Sequence, residues 1–157
     1  MKLTSRAFDD RGQIPARYTR DGENVAPPLA WEDVPDGTAE LAVVFECTTP
    51  TAQPPFTQWL LYGIDPTRRE LPEGLGHKRD PDEPPEALHG TNSMGNVGYD
   101  GPLGSTGKRV SYVFRLLALD QPLGLEAAVH RDAFDESTRG HILAEAELGC
   151  TYDRPPV

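Results

Sequence analysis

A glycine-rich loop that leads directly into an apolar strand constrains this fold more than any other stretch of the sequence. Six glycines occur between residues 90 and 107, and Pro102 lies among them. Glycine accepts positive φ and lets the backbone approach a ligand closely. From position 110 the residues alternate, and one face carries Val110, Tyr112, Phe114, Leu116 and Ala118. This pattern predicts a strand, buried on both faces towards its end, that forms the wall of a small binding pocket.

The end of this loop has a superficial likeness to a nucleotide-binding phosphate loop, because Gly107 precedes Lys108. The spacing of that motif places Pro102 where its first glycine belongs, and Arg109 where a serine or threonine belongs. A strand also follows, whereas phosphate binding requires a helix N-terminus. We therefore predict that the loop does not bind a nucleotide.

Composition limits the class of protein and its partners. The 157 residues include 16 prolines and 15 glycines, which separate short apolar runs, so we predict one turn-rich, mainly β domain over residues 1–157. The formal charge is −10, from 15 basic and 25 acidic residues, and such an acidic surface repels nucleic acids and anionic membranes. No membrane-spanning run or N-terminal signal is recognisable, and we expect a cytoplasmic protein.

The two cysteines, Cys47 and Cys150, are far apart in the chain and lack the spacing of metal ligands. Each lies at the end of an apolar run. Buried free thiols are the expectation, with a disulfide as the alternative. We predict no metal and no other cofactor.

Two central strands are predicted from apolar runs, Ala39 to Cys47 and Phe56 to Ile64. Both runs are short and rich in residues that suit a strand buried on both faces. Gln58 is the strongly polar residue of the second run. A buried amide without a hydrogen bond costs about 1–3 kcal/mol, so Gln58 either bonds a neighbouring loop or faces a cavity.

The remaining segments are less regular. Short strands are predicted at Lys2 to Thr4 and at Leu29 to Trp31. Residues 65–89 are rich in proline and charge, which favours a solvated loop over a metal site formed by its acids with His77 and His89.

The C-terminal part predicts a helix and then a strand. Ala133 to Leu143 is compatible with a helix whose apolar side includes Phe134, Thr138, His141 and Ile142. From Leu143 to Tyr152 apolar and polar residues then alternate, with Glu145 and Glu147 between apolar residues. This pattern predicts a strand with one solvent-exposed face.

Five segments, in this order along the chain, resemble the phosphatidylethanolamine-binding protein family, and specifically its bacterial and archaeal YbhB/YbcL, or Raf kinase inhibitor-like, branch. The matching segments are residues 17–31, 56–62, 98–102, 112–120 and 141–148. The resemblance implies an antiparallel Greek-key β-sandwich with a short C-terminal helix. It also implies a small anion pocket at one end, and a role in binding or in regulating kinases or proteases.

Several of the implied pocket positions carry unusual residues in this sequence. The acidic segment of the family falls at residues 46–51, where either Glu46 or Cys47 takes the place of the first aspartate. Gln58 and Val110 stand at the two histidine positions, while Gly101, Pro102 and Tyr112 remain. Losing two imidazole donors weakens anion binding at least tenfold, since a charged hydrogen bond is worth about 1.5–3 kcal/mol. The pocket is therefore predicted to be altered or vestigial, and suited to a small polar or weakly anionic ligand.

Three functions remain open at this stage. The first is a non-enzymatic binding or regulatory protein with a protein partner. The second is a small hydrolase that uses Cys47, although the histidines that would serve as its base are the residues missing from the pocket. The third is an interaction module that forms a homodimer.

Overall fold

The computed structural model describes residues 1–49, 56–103 and 107–153, which form two β-sheets and one α-helix. A three-stranded sheet has the order β1-β3-β6, and a six-stranded sheet has the order β2-β9-β8-β4-β5-β7. The strands are β1 Lys2–Thr4, β2 Gly12–Gln13, β3 Leu29–Glu32, β4 Glu40–Cys47, β5 Thr57–Ile64, β6 Glu70–Leu71, β7 Leu88–His89, β8 Val110–Leu119 and β9 Ile142–Tyr152; the helix is α1, Arg131–Thr138.

Strand pairing confirms the mainly β, antiparallel class. Among the described strands, every pair is antiparallel except β2 with β9. Strand β8 lies between β4 and β9, although a long segment separates it in sequence from β4. This return of a late strand to the centre of the sheet is consistent with the predicted Greek-key sandwich.

The large sheet is covered on both faces, which explains its continuous apolar runs. One face packs on the small sheet through a core that includes Phe45, Trp59 and Phe114. The other face packs on α1 through a second cluster that includes Val44 and Phe134. A strand between two layers needs apolar residues at consecutive positions. The prediction of two-sided burial for β4 and β5 is confirmed.

The helix and the strand after it differ from the prediction. The helix spans Arg131–Thr138 and not Ala133 to Leu143. Gly140 has φ of +81°, which ends the helical path and lets β9 begin at Ile142. Phe134 and Thr138 are buried as predicted. Ile142 is 42% exposed, so its predicted place on an apolar helix face is wrong.

The segment 65–89 is less solvated than predicted. It contributes β6 to the small sheet and β7 to the edge of the large sheet. Leu71, Ala87 and His89 are all buried. Within the described ranges, no group of three or more histidine, cysteine or acidic residues has a metal-binding arrangement. No helix in those ranges has the length and apolar character needed to cross a membrane.

Candidate functional site

The predicted pocket residues meet at one end of the large sheet. Strands β5, β4 and β8 are neighbours, and Cys47 lies directly opposite Tyr112 in the β4–β8 register. The amide of Cys47 donates to the carbonyl of Phe56, two residues before Gln58. Val110 lies two residues before Tyr112 on β8, so both side chains share the face that packs towards the small sheet. Pro50 and Thr51, the end of the predicted acidic segment, lie outside the described residues, as do Gly104 and Ser105 of the loop.

Gln58 hydrogen-bonds the glycine-rich loop, which is the first of the two roles predicted for it. It lies at an irregularity in the β4–β5 register and is 5% exposed. Its Nε2 donates to the carbonyl of Asp100 at 2.7 Å and to that of Gly101 at 3.0 Å. Because a carbonyl only accepts, both amide hydrogens are used. A ligand would therefore meet only the Oε1 acceptor of Gln58, where the family resemblance implies an imidazole donor.

Glu46 and Cys47 point to opposite faces of β4. Glu46 is buried on the α1 side and accepts from Nε of Arg115 and from Nη1 of Arg131, both at 2.8 Å. Burial alone would raise the pKa of Glu46, but the two guanidinium groups outweigh burial and lower it. Arg131 also donates to Thr57 at 3.0 Å. Glu46 is thus part of an ion-pair network that ties α1 to the sheet, and Cys47 is the residue on the face of Tyr112.

The glycine-rich loop is fixed by contact with another part of the protein. A Cβ on Gly101 would lie 2.1 Å from the carbonyl oxygen of Tyr18, so only glycine fits. The amide of Gly101 donates to Oδ1 of Asn24 at 2.7 Å, and the hydroxyl of Tyr99 donates to the Tyr18 carbonyl at 2.7 Å. The glycines predicted a close approach of the backbone to a ligand; at Gly101 the close approach is to the 18–24 segment of the protein itself.

A buried carboxylate organises this end of the molecule. Asp100 is 3% exposed. Its Oδ1 accepts from Asn24 and His77, both at 2.9 Å, and its Oδ2 accepts from Asn92 at 2.7 Å and Asn96 at 2.9 Å. Burial alone would raise the pKa of Asp100, but these four donors outweigh it and lower the pKa. The network joins the segments of Asn24 and His77 to the glycine-rich loop, where the carbonyl of Asp100 accepts from Gln58.

Tyr112 and Arg20 supply the donors that remain at the site. Burial raises the pKa of Tyr112, while the nearby charge of Arg20 opposes this rise, so the phenol is neutral and can donate at pH 7. No hydrogen bond to the Tyr112 hydroxyl occurs among the described residues. The amide of Arg20 donates to the Pro102 carbonyl at 2.9 Å, and its Nη1 contacts Sδ of Met94. Nε of Arg20 is buried with no hydrogen-bond partner in the described part of the chain.

Sequence reasoning missed Arg20, although the residue lies in a segment used for the family resemblance. The Asp21-Gly22 dipeptide, which favours a turn, accounts for that segment without any function for the arginine. Asp21 is itself held, because its Oδ2 accepts from the Tyr152 hydroxyl at 2.5 Å. The available signal was the position of a cation in that turn, within a segment that carries the family resemblance.

The two cysteines flank Tyr112 and cannot form a disulfide in this fold. Cys47 and Cys150 pair with Tyr112 from opposite sides, so they lie two strands apart. Two strand spacings amount to about 9.5 Å, beyond the reach of about 7 Å between Cα atoms in a disulfide. Both thiols are free. The prediction of free thiols is confirmed, whereas the prediction of burial holds for Cys150 and not for Cys47, which is half-buried.

The histidine rings have partners other than a thiol. His77 bonds Asp100, His89 bonds the Lys78 carbonyl at 2.5 Å, and His141 bonds Asp120 at 2.9 Å. His141 lies beyond the end of α1, which corrects its predicted place on the helix. Within the described ranges, no histidine hydrogen-bonds either cysteine.

Comparison with known proteins identifies relatives over the full length of the chain. The family model described as phosphatidylethanolamine-binding protein matches residues 4–153. A UPF0098 protein from Methanothermobacter thermautotrophicus is 40% identical over 158 residues, covering 98% of this chain and 99% of that protein. A UPF0098 protein from Aquifex aeolicus is 35% identical and covers 98% and 89% of the two chains.

Two crystal structures share the architecture. A phosphatidylethanolamine-binding protein homologue from Chlamydia trachomatis is 31% identical, with a TM-score of 0.83 over 98% of this chain and 97% of that one. E. coli YbcL is 24% identical, with a TM-score of 0.88 over 98% of each chain, and shows the same fold. With the family model matched from residue 4 to residue 153, this chain belongs to the phosphatidylethanolamine-binding protein family.

Proposed function

We propose that this protein is a non-enzymatic ligand-binding protein whose pocket is altered and still binds a small anionic or polar group. Family membership supports a ligand-binding or regulatory role. The observation that carries the proposal is the guanidinium of Arg20, which lies near enough to Tyr112 to act on its pKa and whose Nε has no hydrogen-bond partner among the described residues. It supplies a charged donor where the chain lacks the two histidines that the family resemblance implies.

The chemistry of the site favours a small anion that two donors can hold. Gln58 offers only an acceptor, Cys47 and Val110 offer no strong donor, and Tyr112 offers one neutral hydroxyl. One guanidinium and one phenol can hold a phosphate monoester or a carboxylate by two donors. Because a charged hydrogen bond is worth about 1.5–3 kcal/mol, Arg20 is expected to dominate the affinity.

The binding prediction is tested by calorimetric titration with inorganic phosphate, acetate and phosphoethanolamine. We expect Arg20→Gln to weaken binding of the best of these ligands by about 10- to 100-fold, and Tyr112→Phe by about fivefold. Arg139→Gln is the matched control, since Arg139 is exposed at the end of α1 and its loss changes the net charge equally. Equal affinity of the Arg20→Gln and Arg139→Gln variants would contradict the proposal, as would a wild-type protein that binds none of the three at about 10 mM.

The regulatory part of the proposal concerns a protein partner. The resemblance suggests an inhibitor-like action on a kinase or protease, and the exposed apolar side chains near the site favour such a contact. Phe56, Met94 and Leu103 are 38%, 40% and 38% exposed. The Phe56 carbonyl accepts from the Cys47 amide, Met94 contacts Arg20, and Leu103 follows Pro102, whose carbonyl accepts from the Arg20 amide. A pull-down with the pocket occupied and empty would show whether partner binding depends on the ligand.

Thiol reactivity tests the non-enzymatic part of the proposal. Burial raises the pKa of Cys150 to about 12, so we expect iodoacetamide to label it at least about 100-fold more slowly than Cys47 at pH 7. Cys47 is expected to react at the rate of an unactivated thiol, because no histidine bonds it among the described residues. Peptide mass mapping of a labelling time course measures both rates. Labelling of Cys47 within seconds would instead support the hydrolase.

A further inference from the structure

A cavity lies away from the Gln58–Tyr112 site, between an edge of each sheet. Its volume is about 420 Å³, and it runs between β1 and the first half of β9. Its floor is apolar and is formed by Leu3, Phe8, Ala146 and Leu148, all of which are buried. Both bordering strands lie at sheet edges here, since β2 covers β9 only from Cys150 onward.

Hydrogen-bond alternation shows which backbone groups of β9 face this cavity. The amide of Gly149 donates to Asp10 and its carbonyl accepts from the Arg11 amide, so the backbone of Gly149 points away from β8. In an antiparallel pair this direction repeats at every second residue. The β8–β9 register is unbroken from Ala144 to Tyr152. The amides and carbonyls of Glu145 and Glu147 therefore also point outward, and no backbone partner for them occurs among the described residues.

On the opposite side of the cavity, the backbone of β1 also has groups that point outward from its sheet. In β3 the amide of Trp31 donates to the Arg69 carbonyl, on the side away from β1. Leu3 pairs with Trp31, so this pair exchanges no backbone hydrogen bonds, and the amide and carbonyl of Leu3 point out of the small sheet. The cavity is thus bordered on both sides by strand backbone that has no partner among residues 1–49, 56–103 and 107–153.

The rim of the cavity is acidic. Four acidic residues line it, namely Asp9, Asp10, Glu145 and Glu147. Among the described side chains of the lining, the basic one is Lys2. Arg115 pairs with Glu147, and the Gly149 amide occupies Oδ1 of Asp10. Asp9 and Glu145 are exposed and have no ion pair in the described part of the protein. The excess of acidic over basic groups along the rim attracts a basic partner.

We infer that this groove binds an extended peptide segment with alternating apolar and basic residues, added as a strand along the free edge of β9. Strand addition takes its affinity from main-chain hydrogen bonds and its specificity from alternate side chains. The apolar residues of the peptide would lie over Ala146 and Leu148. Its basic residues would lie beside Glu145 and Glu147, because side chains of adjacent strands share faces.

Charge argues against a second copy of this chain as the occupant. Two β9 edges paired about a two-fold axis would bring Glu145 and Glu147 of one copy close to the same residues of the other. Like charges on paired strands are destabilising. A basic peptide turns the same carboxylates into favourable cross-strand pairs.

The test uses a fluorescein-labelled heptapeptide of alternating valine and arginine, with blocked ends, and the full chain. We expect saturable binding in fluorescence anisotropy, together with slowed hydrogen exchange at the amides of Glu145 and Glu147 measured by NMR. The same peptide with alternate amides N-methylated keeps its charges and cannot pair as a strand. We expect it to bind at least about tenfold more weakly.

A charge variant with a matched control completes the experiment. Glu145→Lys is expected to weaken peptide binding about five- to tenfold, and Glu136→Lys, an equal charge change on the exposed face of α1, to leave it unchanged. Three results would overturn the inference: no binding at about 1 mM peptide, equal binding of the N-methylated peptide, or exchange protection at Gln58 and Tyr112 in place of Glu145 and Glu147. Amides at 145 and 147 that are already protected in a peptide-free dimer would assign the edge to a second copy instead.

Discussion

Replacing Asp100 with alanine is expected to lower the free energy of unfolding by about 3–4 kcal/mol, the largest effect of any single side chain at this site. The carboxylate accepts four hydrogen bonds, from Asn24, His77, Asn92 and Asn96. Without it, the amide donors stay in a buried space, where each unsatisfied group costs about 1–3 kcal/mol, while the half-exposed His77 ring can turn to water. Urea unfolding followed by tryptophan fluorescence measures the loss.

Asp36→Ala removes an equal charge from an exposed position and is the matched control, with an expected change within about 0.5 kcal/mol in the free energy of unfolding.

The pH dependence of the Asp100→Ala loss gives a second check. The pKa of Asp100 is lowered on folding, so its ionised form stabilises the protein fully above the unfolded value of about 3.9. That contribution is lost as pH falls through the lower, folded pKa. The difference in free energy of unfolding between wild type and Asp100→Ala should therefore be constant from pH 7 to pH 5 and become smaller below pH 4. A difference that grows in acid would contradict this account.

The Asp100 network also positions groups of the candidate pocket. The carbonyls of Asp100 and Gly101 accept both amide hydrogens of Gln58, and Gly101 in turn is held by Asn24. The carbonyl of the next residue, Pro102, accepts from the Arg20 amide. The proposed ligand donor is thus positioned by the same loop that satisfies Gln58. A variant at Asp100 that still folds should lose ligand affinity as well as stability.

The long strands could be predicted because the apolar pattern of each segment matches the burial of that segment in the folded protein. β4, β5 and β8 carry apolar residues on both faces, and a strand between two covered faces requires that composition. The helix boundary was missed for a local reason, since Gly140 takes positive φ where an apolar periodicity continues to Leu143. In the 65–89 loop, two-residue strands depend on docking to β3 and β5, and no periodicity can show a two-residue strand.

The pocket could be located from sequence only in part. The family resemblance brought Gln58, Gly101, Pro102 and Tyr112 to one end of the fold. It left Glu46 and Cys47 as alternatives, because a one-residue shift turns a strand side chain to the opposite face. Arg20 reaches the site through tertiary contacts of a turn, which spacing alone does not encode.

Gly98→Ala is the second substitution with a large expected effect, a loss of about 3 kcal/mol or more in the free energy of unfolding. A Cβ at this position would lie 2.1 Å from the Gly76 carbonyl oxygen and 2.8 Å from Cα of His77, both on the backbone. Gly98 also has φ of +102°, which side-chain-bearing residues rarely adopt. Backbone atoms cannot turn aside as a flexible side chain does, so the loop holding Asp100 must separate from the 76–77 segment.

Gly95 gives a control for this effect within the same loop. It has φ of +86°, and a Cβ there would meet no atom within 4 Å. Gly95→Ala therefore carries the conformational strain without the clash and should cost about 1 kcal/mol. The difference between the two variants, measured by urea unfolding, isolates the close approach of the loops. Because His77 donates to Asp100 across that approach, the losses of Gly98→Ala and Asp100→Ala should be less than additive in the double variant, by the share of the Asp100 network that His77 supplies. Additive losses would mean that the two loops are held together by other contacts.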